Sequence, residues 1–350
     1  MMRTLLLFDG LGGNTDGLVP ALRELYSRPE NAAYFHGVFT VLDDVLRYGD
    51  PGADILPDGL DLRHWLDFGF PSTVLDNSVV AGVCVHVHQV CHLLPTGPVG
   101  RLPVVGALGH SIGLQAAIVA GLRSRRLDDF LAVAAGSLRL VAISLVRGHQ
   151  VFLDRVGPEA LDRERDSRGR MAGPMAALTG VSRSDLATAV EKYNADNPGA
   201  LTLSLVNSPA AHVLSGAAEH LVDFSRLDTV RANWAFLPNT IPFHSELLAP
   251  AARLVRDDLD FIGPVPTPAD LAIPVYATDR PRLLNDSADL VEEFLDQVLV
   301  RPIDWPAAVR FAVDGVDRVL DVGPGPGARR FTRECLPARS VRFQSPQQLT

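Results

Sequence analysis

Apolar positions along this chain take two forms: short unbroken runs that end in glycine, and longer stretches with helical spacing. RTLLLFDG at 3–10 and RLPVVGALG at 101–109 are of the first kind. They predict buried strands that run straight into glycine-rich turns. VDRVLDVGPGPG at 316–327 repeats the pattern near the C-terminus. LVPALRELYS at 18–27, NSVVAGVCVHVHQVCHLLP at 77–95 and LQAAIVAGLRS at 114–124 predict helices, the second stopped by Pro95. One long helix is predicted over 127–156, with Asp128 and Asp129 in its first turn, where the helix dipole favours acidic side chains. Another helix is predicted around 288–299.

Between these stretches the pattern changes. Residues 45–72 mix Pro, Gly and Asp and read as irregular, and 157–172 (GPEALDRERDSRGRMA) read as charged and exposed. From 175 to 239 the order is strand, helix, strand, strand, helix, strand, which suits a small α+β unit of the split βαβ type. An α/β body interrupted by a small inserted domain accounts for the whole order.

Composition narrows the function classes. The 350 residues are 47% hydrophobic, ample for a packed core, and carry 32 basic against 41 acidic residues, a formal charge of −9. Lys192 is the only lysine and no basic run stands out, so nucleic acid is not an expected partner. Three cysteines (Cys84, Cys91 and Cys335) make no disulfide framework and suit a reducing compartment. The N-terminus lacks the long apolar core of a signal peptide, and no window holds 18 consecutive apolar residues. The expectation is a cytoplasmic protein with no membrane partner.

The chemistry centres on VVGALGHSIGLQAA at 104–117. A Gly-x-Ser-x-Gly pentapeptide between a strand and a helix is the nucleophile-elbow pattern. Gly109 and Gly113 keep the turn tight, and Ser111 would project from it, with the N–H of Ile112 free to face an oxyanion. The plain alternative is a strand-to-helix turn with a polar residue in it. A serine nucleophile needs a base, usually histidine. Ten histidines are present, and residue type alone does not choose among them.

Seven blocks, in order, resemble the malonyl-CoA:ACP transacylase family and the acyltransferase domains of polyketide synthases. They are LLLFDGLGG, GHSIG, MAALTGVSRSDL, LVNSPAAHVLSG, IPFHSELLAPA, VLVRPIDW and VLDVGPG, and they span nearly the whole chain. The resemblance implies an α/β-hydrolase-like core with a parallel sheet (residues 1–170 and 239–350) and a ferredoxin-like small subdomain (171–238). It also implies a discrete acyltransferase with Ser111 as nucleophile and His244 as base. The N–H groups of Leu11 and Ile112 would form the oxyanion hole, and a backbone carbonyl, at Val298, would orient the histidine. Gly10, His110, Asn207 and Phe243 would belong to the substrate pocket. No bound cofactor or metal is implied. The partners implied are an acyl carrier protein and an acyl-CoA or acyl-carrier donor, with the phosphopantetheine thioester as substrate.

Three departures bear on the substrate. Leu11 and Asp9 stand where the family has glutamine and proline in its first loop, and Leu114 where it has glutamate. Members that load malonyl-type units place an arginine 25 residues after the serine, forked onto the carboxylate. Here that position is Gly136. Arg139 lies close to one turn further on. Arg147, followed by glycine as in the family, aligns only with an 11-residue insertion into one helix. The gapless reading predicts a non-carboxylated acyl group, as in starter-unit acyltransferases or enzymes that pass acyl units between carriers. The alternatives are a malonyl-type transacylase using Arg147, an editing hydrolase of acyl carriers, and a carrier-binding scaffold with a degenerate site. Cys84, His88, Cys91 and His92 share one helical face, but a single helix does not readily surround a tetrahedral ion.

Overall fold

Five short strands line up in parallel to form the larger sheet: β1 (Thr4–Phe8), β2 (Gly106–Gly109), β7 (Val275–Tyr276), β9 (Arg318–Asp321) and β10 (Arg342–Gln344), in the order β10-β9-β1-β2-β7. The structure is a computed structural model that describes residues 2–11, 17–156, 172–227, 231–337 and 340–349. The charged stretch 157–171, and with it the expected boundary at 170, lies outside the described residues. β1 is buried along its whole length, as a central parallel strand covered on both faces must be. Its register against β2 pairs Phe8 with Gly109, so the first loop and the Ser111 turn leave the sheet side by side.

The Gly113–Leu122 helix packs on β1 and β2; Ser78–Cys91 and Leu127–Val156 pack on that helix, and Ala32–Gly49 packs on Leu127–Val156. Every residue of Ser78–Cys91 is buried. The Leu127–Phe152 stretch is long and apolar enough to cross a membrane by length and composition, and 67% of that window is buried inside the protein. It packs against Ala32–Gly49, Ser78–Cys91 and Ala249–Asp257, which explains its apolar character.

A second sheet of five strands has its own small core around Leu178, Leu186, Leu214, Leu221 and Phe224. It contains β3 (Met175–Thr179), β4 (Leu201–Ser208), β5 (Ala211–Gly216) and β6 (Asn233–Phe236), with helices Arg183–Asp196 and Ala218–Ser225. β3, β4, β5 and β6 pair antiparallel. One strand comes from the returning chain: β8 (Ile303–Asp304) pairs parallel with β4, Leu205 opposite Ile303. Residues 239–350 therefore do not all belong to the larger layer. The register slips twice along β4 against β5, between Leu203 and Leu205 and between Val206 and Ser208, so that Asn207 sits in the second irregularity.

Candidate active site

Steric need explains the two glycines around Ser111. A Cβ on Gly109 would lie 2.1 Å from the Gly113 carbonyl oxygen, and one on Gly113 would lie 2.5 Å from that of Asp9. With both positions bare, the chain passes from β2 into the Gly113–Leu122 helix in one turn, and Ser111 takes φ +52°. A positive φ at a non-glycine residue persists only where its surroundings over-determine it. Here the turn is fixed by the bond from Gly113 N–H to the His110 carbonyl (3.0 Å) and from Leu114 N–H to that of Ser111 (2.9 Å). Gly10 sits against the elbow rather than on a cavity wall: its Cβ would meet the His110 carbonyl oxygen at 2.8 Å and the Ser111 Cβ at 3.0 Å.

His244 reaches this serine from 133 residues away. Its Nε2 lies 2.8 Å from the Ser111 Oγ. It too has a positive φ, +57°, and its loop is clamped on both sides. The Ser215 hydroxyl donates to the Phe243 carbonyl at 2.7 Å, and the Ser245 N–H to the Leu299 carbonyl at 3.0 Å. The imidazole Nδ1 donates to the Arg301 carbonyl at 3.1 Å. That corrects the expectation of Val298. The helix predicted around 288–299 runs as α-helix over Leu290–Leu295 and then widens into a π-turn over Asp296–Val300. The chain turns out at Arg301 and Pro302, so the Arg301 carbonyl has left the helical bonding pattern and is free to accept from the ring. Burial pushes the His244 pKa down to about 3, so the ring is neutral at physiological pH with Nε2 unprotonated towards the serine.

Ser111 and His244 lie on a cavity of about 230 Å³ between the two sheets. Leu11, His110, Asn207 and Phe243 line it. His110 Nε2 is 2.8 Å from the Asn207 Oδ1, and its ring packs edge-on against Trp305 at 4.8 Å, a tie between the elbow and the small sheet. Met175 and Ala177 from β3 and Leu205 from β4 supply an apolar wall. Met175 and Ala177 are two residues apart on β3, the spacing that puts side chains on one face. That period is visible in sequence, but which face meets the serine is not.

The long-helix residues are elsewhere. Gly136 faces Pro264 on the far side of its helix, where a Cβ would lie 3.3 Å from the Pro264 carbonyl oxygen. Arg139 pairs with Asp44 at 3.6 Å. Arg147 forks onto Asp258, with Nε–Oδ2 at 2.7 Å and Nη2–Oδ1 at 2.9 Å, while the Tyr48 hydroxyl donates to the same carboxylate at 2.8 Å. None of the three lines the cavity, because the helix turns those positions towards other partners. Arg147→Ala is expected to destabilise the fold by about 2 kcal/mol, since it strands a nearly buried carboxylate. The preference among acyl donors should not move. A thermal melt and a loading assay check the two halves of this expectation.

The first loop carries its own design. Asp9, 3% exposed, accepts from the N–H groups of Gly10 (3.0 Å), Gly327 (3.2 Å) and Ala328 (2.9 Å), which caps the Gly327–Glu334 helix. Gln89 donates to the Asp9 and Gly323 carbonyls, both at 2.8 Å. Burial still raises the Asp9 pKa, and it pushes neighbouring Asp321 up to about 7. Cys84, His88 and Cys91 lie on the buried Ser78–Cys91 helix, and His92 is the half-buried residue that ends it. The rings of His88 and His92 pack edge to face at 4.8 Å, and burial pushes both thiols up to about 12.

Buried histidines make the fold acid-sensitive. Desolvation pushes His86 and His244 down to about 3, His92 and His149 to about 4, and lowers His88, His110 and His212. The unfolded chain binds those protons near pH 6.5 and the folded chain does not. Stability is therefore full above about pH 6.5 and is lost as the pH falls towards 4. Asp9 and Asp321, whose carboxyls are raised, oppose this over the same range but are fewer. The thermal midpoint should drop steadily from pH 7 to pH 5; a flat or rising midpoint would contradict the buried-neutral state of these rings.

Comparison with known proteins adds a family. The model of the family described as "Starter unit:ACP transacylase in aflatoxin biosynthesis" matches residues 7–244. The fatty acid synthase β subunit of Saccharomyces cerevisiae is 26% identical over 358 residues, covering 92% of this chain and 17% of that protein. The malonyl CoA-acyl carrier protein transacylase of Bacillus subtilis is 26% identical over 221 residues, covering 62% of this chain and 60% of that one. The chain thus spans about a sixth of the length of the synthase subunits it matches. Among solved structures, the malonyl CoA-acyl carrier protein transacylase of Clostridium perfringens superposes with a TM-score of 0.70 at 18% identity, over 98% of this chain and 92% of that one. The acyltransferase domain from the second module of the salinomycin polyketide synthase gives 0.69 at 20% identity, over 99% and 69%.

Proposed function

This chain belongs to the starter unit:ACP transacylase family, among the malonyl-CoA:ACP transacylases and polyketide synthase acyltransferases, and on that premise we propose that it transfers an acyl group between thioesters through an acyl-serine. The observation that carries the reading is the 2.8 Å contact between Ser111 Oγ and His244 Nε2, with Nδ1 held on the Arg301 carbonyl. Ser111 Oγ attacks the thioester carbonyl of an acyl-CoA or acyl-carrier donor, and its proton passes to Nε2. The N–H groups of Leu11 and Ile112 face the oxyanion, the second at the positive end of the Gly113–Leu122 helix. Collapse expels the thiol, which takes the proton back from His244. The phosphopantetheine thiol of a carrier protein then repeats the sequence in reverse: His244 removes its proton, and the sulfur takes the acyl group from Ser111. The Arg301 carbonyl stabilises the imidazolium that forms in each half, so no carboxylate is needed to orient the ring.

The acyl group we assign is non-carboxylated. Met175, Ala177, Leu205, Val213, Leu237 and Phe243 make the wall apolar, and the long-helix arginines are engaged elsewhere. A carboxylate buried against that apolar wall, away from Arg330 in the same lining, would be unpaired, which is costly. Intact-mass measurement after incubation with acetyl, longer acyl and malonyl thioesters tests this. The expected result is an adduct from neutral acyl donors in preference to malonyl, followed by transfer to a carrier. Release of free acid in place of transfer would make the protein an editing hydrolase. A complete lack of adduct would support the scaffold reading.

A further inference from the structure

The helix that Asp9 caps begins GARRFTRE at Gly327 and carries three arginines among eight residues, in a chain whose net charge is −9. The three are not equivalent. Arg329 turns inward to Asp321, with Nε–Oδ2 at 3.3 Å. Arg333 lies over the Phe343 ring at 4.7 Å. Arg330 is the arginine that lines the Ser111 cavity. Its guanidinium stacks on Phe331 at 4.7 Å, and its ion pair is with Glu334 at 3.7 Å. Both members of that pair are exposed, 65% and 43%, so it holds the guanidinium only weakly. Phe331 lines the same cavity, so the stacking keeps the guanidinium beside that lining.

We propose that Arg330 binds the phosphate of the phosphopantetheine arm, the group that coenzyme A and a carrier protein share. The proposal rests on the acyl-transfer reading and adds a binding residue to it. The argument is one of direction. A thioester has two ends, and at the moment of attack its carbonyl carbon is at Ser111, which is 7% exposed. The acyl end points into the apolar wall, and the sulfur end must leave through the opening to reach coenzyme A or a carrier. A cation at the cavity with a 65% exposed side chain therefore meets the arm, not the acyl group. The arm's first anionic group is its phosphate, and Arg330 offers it a charge-assisted fork. The N-terminus of the same helix is unavailable for this purpose, because the Asp9 carboxylate already occupies it.

The test compares the acylation half-reaction of Ser111 with acetyl-pantetheine, acetyl-4′-phosphopantetheine and acetyl-CoA. In the unsubstituted protein the two phosphorylated donors should have lower KM, with kcat/KM about tenfold above acetyl-pantetheine. Arg330→Ala should bring that ratio to within about twofold, through KM rather than kcat. Arg330→Lys should restore part of it, as a point charge without the fork. A malonyl-pantetheine arm separates the other use of an exposed arginine. If Arg330→Ala lowers malonyl relative to acetyl loading and leaves the phosphate ratio intact, the residue is a carboxylate selector and the proposal is overturned. Acylation by acetyl-pantetheine with no phosphate advantage in the unsubstituted protein also overturns it, and leaves acyl transfer standing. Failure of every donor to acylate Ser111 would sink both readings.

Discussion

Ser111→Ala is expected to yield no acyl-enzyme with any donor and to lower transfer by roughly four to six orders of magnitude. The substitution removes the oxygen that lies 2.8 Å from His244 Nε2 and little else. Alanine has the Cβ that serine already accommodates at φ +52°, so the elbow should keep its shape. The thermal midpoint should accordingly stay within a few degrees (about 1 kcal/mol at most) of the unsubstituted protein. Intact mass and a melt measured on the same sample separate lost chemistry from lost fold. An alanine variant that still gained acyl mass at the original yield would assign the nucleophile to another residue.

His244→Ala is expected to cost roughly three to five orders of magnitude in both acylation and transfer. Without the ring, nothing adjacent takes the serine proton, and a serine hydroxyl is a weak nucleophile at its own pKa. His110 does not substitute for it, since its Nε2 is held by Asn207 and its ring by Trp305. The pH profile of the unsubstituted protein gives a second readout. With its pKa pushed down to about 3, the His244 base form is fully populated above about pH 5. Acylation should therefore be level from pH 6 to pH 8 and show no histidine step near 6.5. A step there, lost in His244→Ala, would mean that the ring is solvated and not buried as described. Near-original rates in the variant would pass the role to another histidine.

Each of these expectations depends on a pairing that the chain order only suggests. GHSIG stated the elbow because its cause is local: Gly109 and Gly113 are needed by atoms within a few residues and by the strand alongside. IPFHSELLAPA marked His244 through resemblance, but nothing in its spacing set the 2.8 Å approach to a serine 133 residues earlier. The carbonyl on its other side is that of Arg301, three residues beyond Val298. A change from α- to π-bonding over Asp296–Val300 shifts which carbonyl faces outward, and that change carries no mark in DQVLV.

What this sequence determined by itself is whatever depends on neighbours along the chain: buried runs that become parallel strands, the tight turn at Ser111, and the strand–helix–strand–strand–helix–strand order of the small sheet. Tertiary structure alone decided which side of each element meets the cavity. On the Leu127–Val156 helix, successive residues turn by about 100°, so alignment by count could not tell that Gly136 faces Pro264 or that Arg147 meets Asp258. The same holds for Arg330, one of three arginines in a short run, which the capping of its helix by Asp9 places beside the serine's cavity. Facing depends on how elements rotate and pack against partners distant in sequence, and hydrophobic burial, being non-directional, does not write that rotation into any single segment.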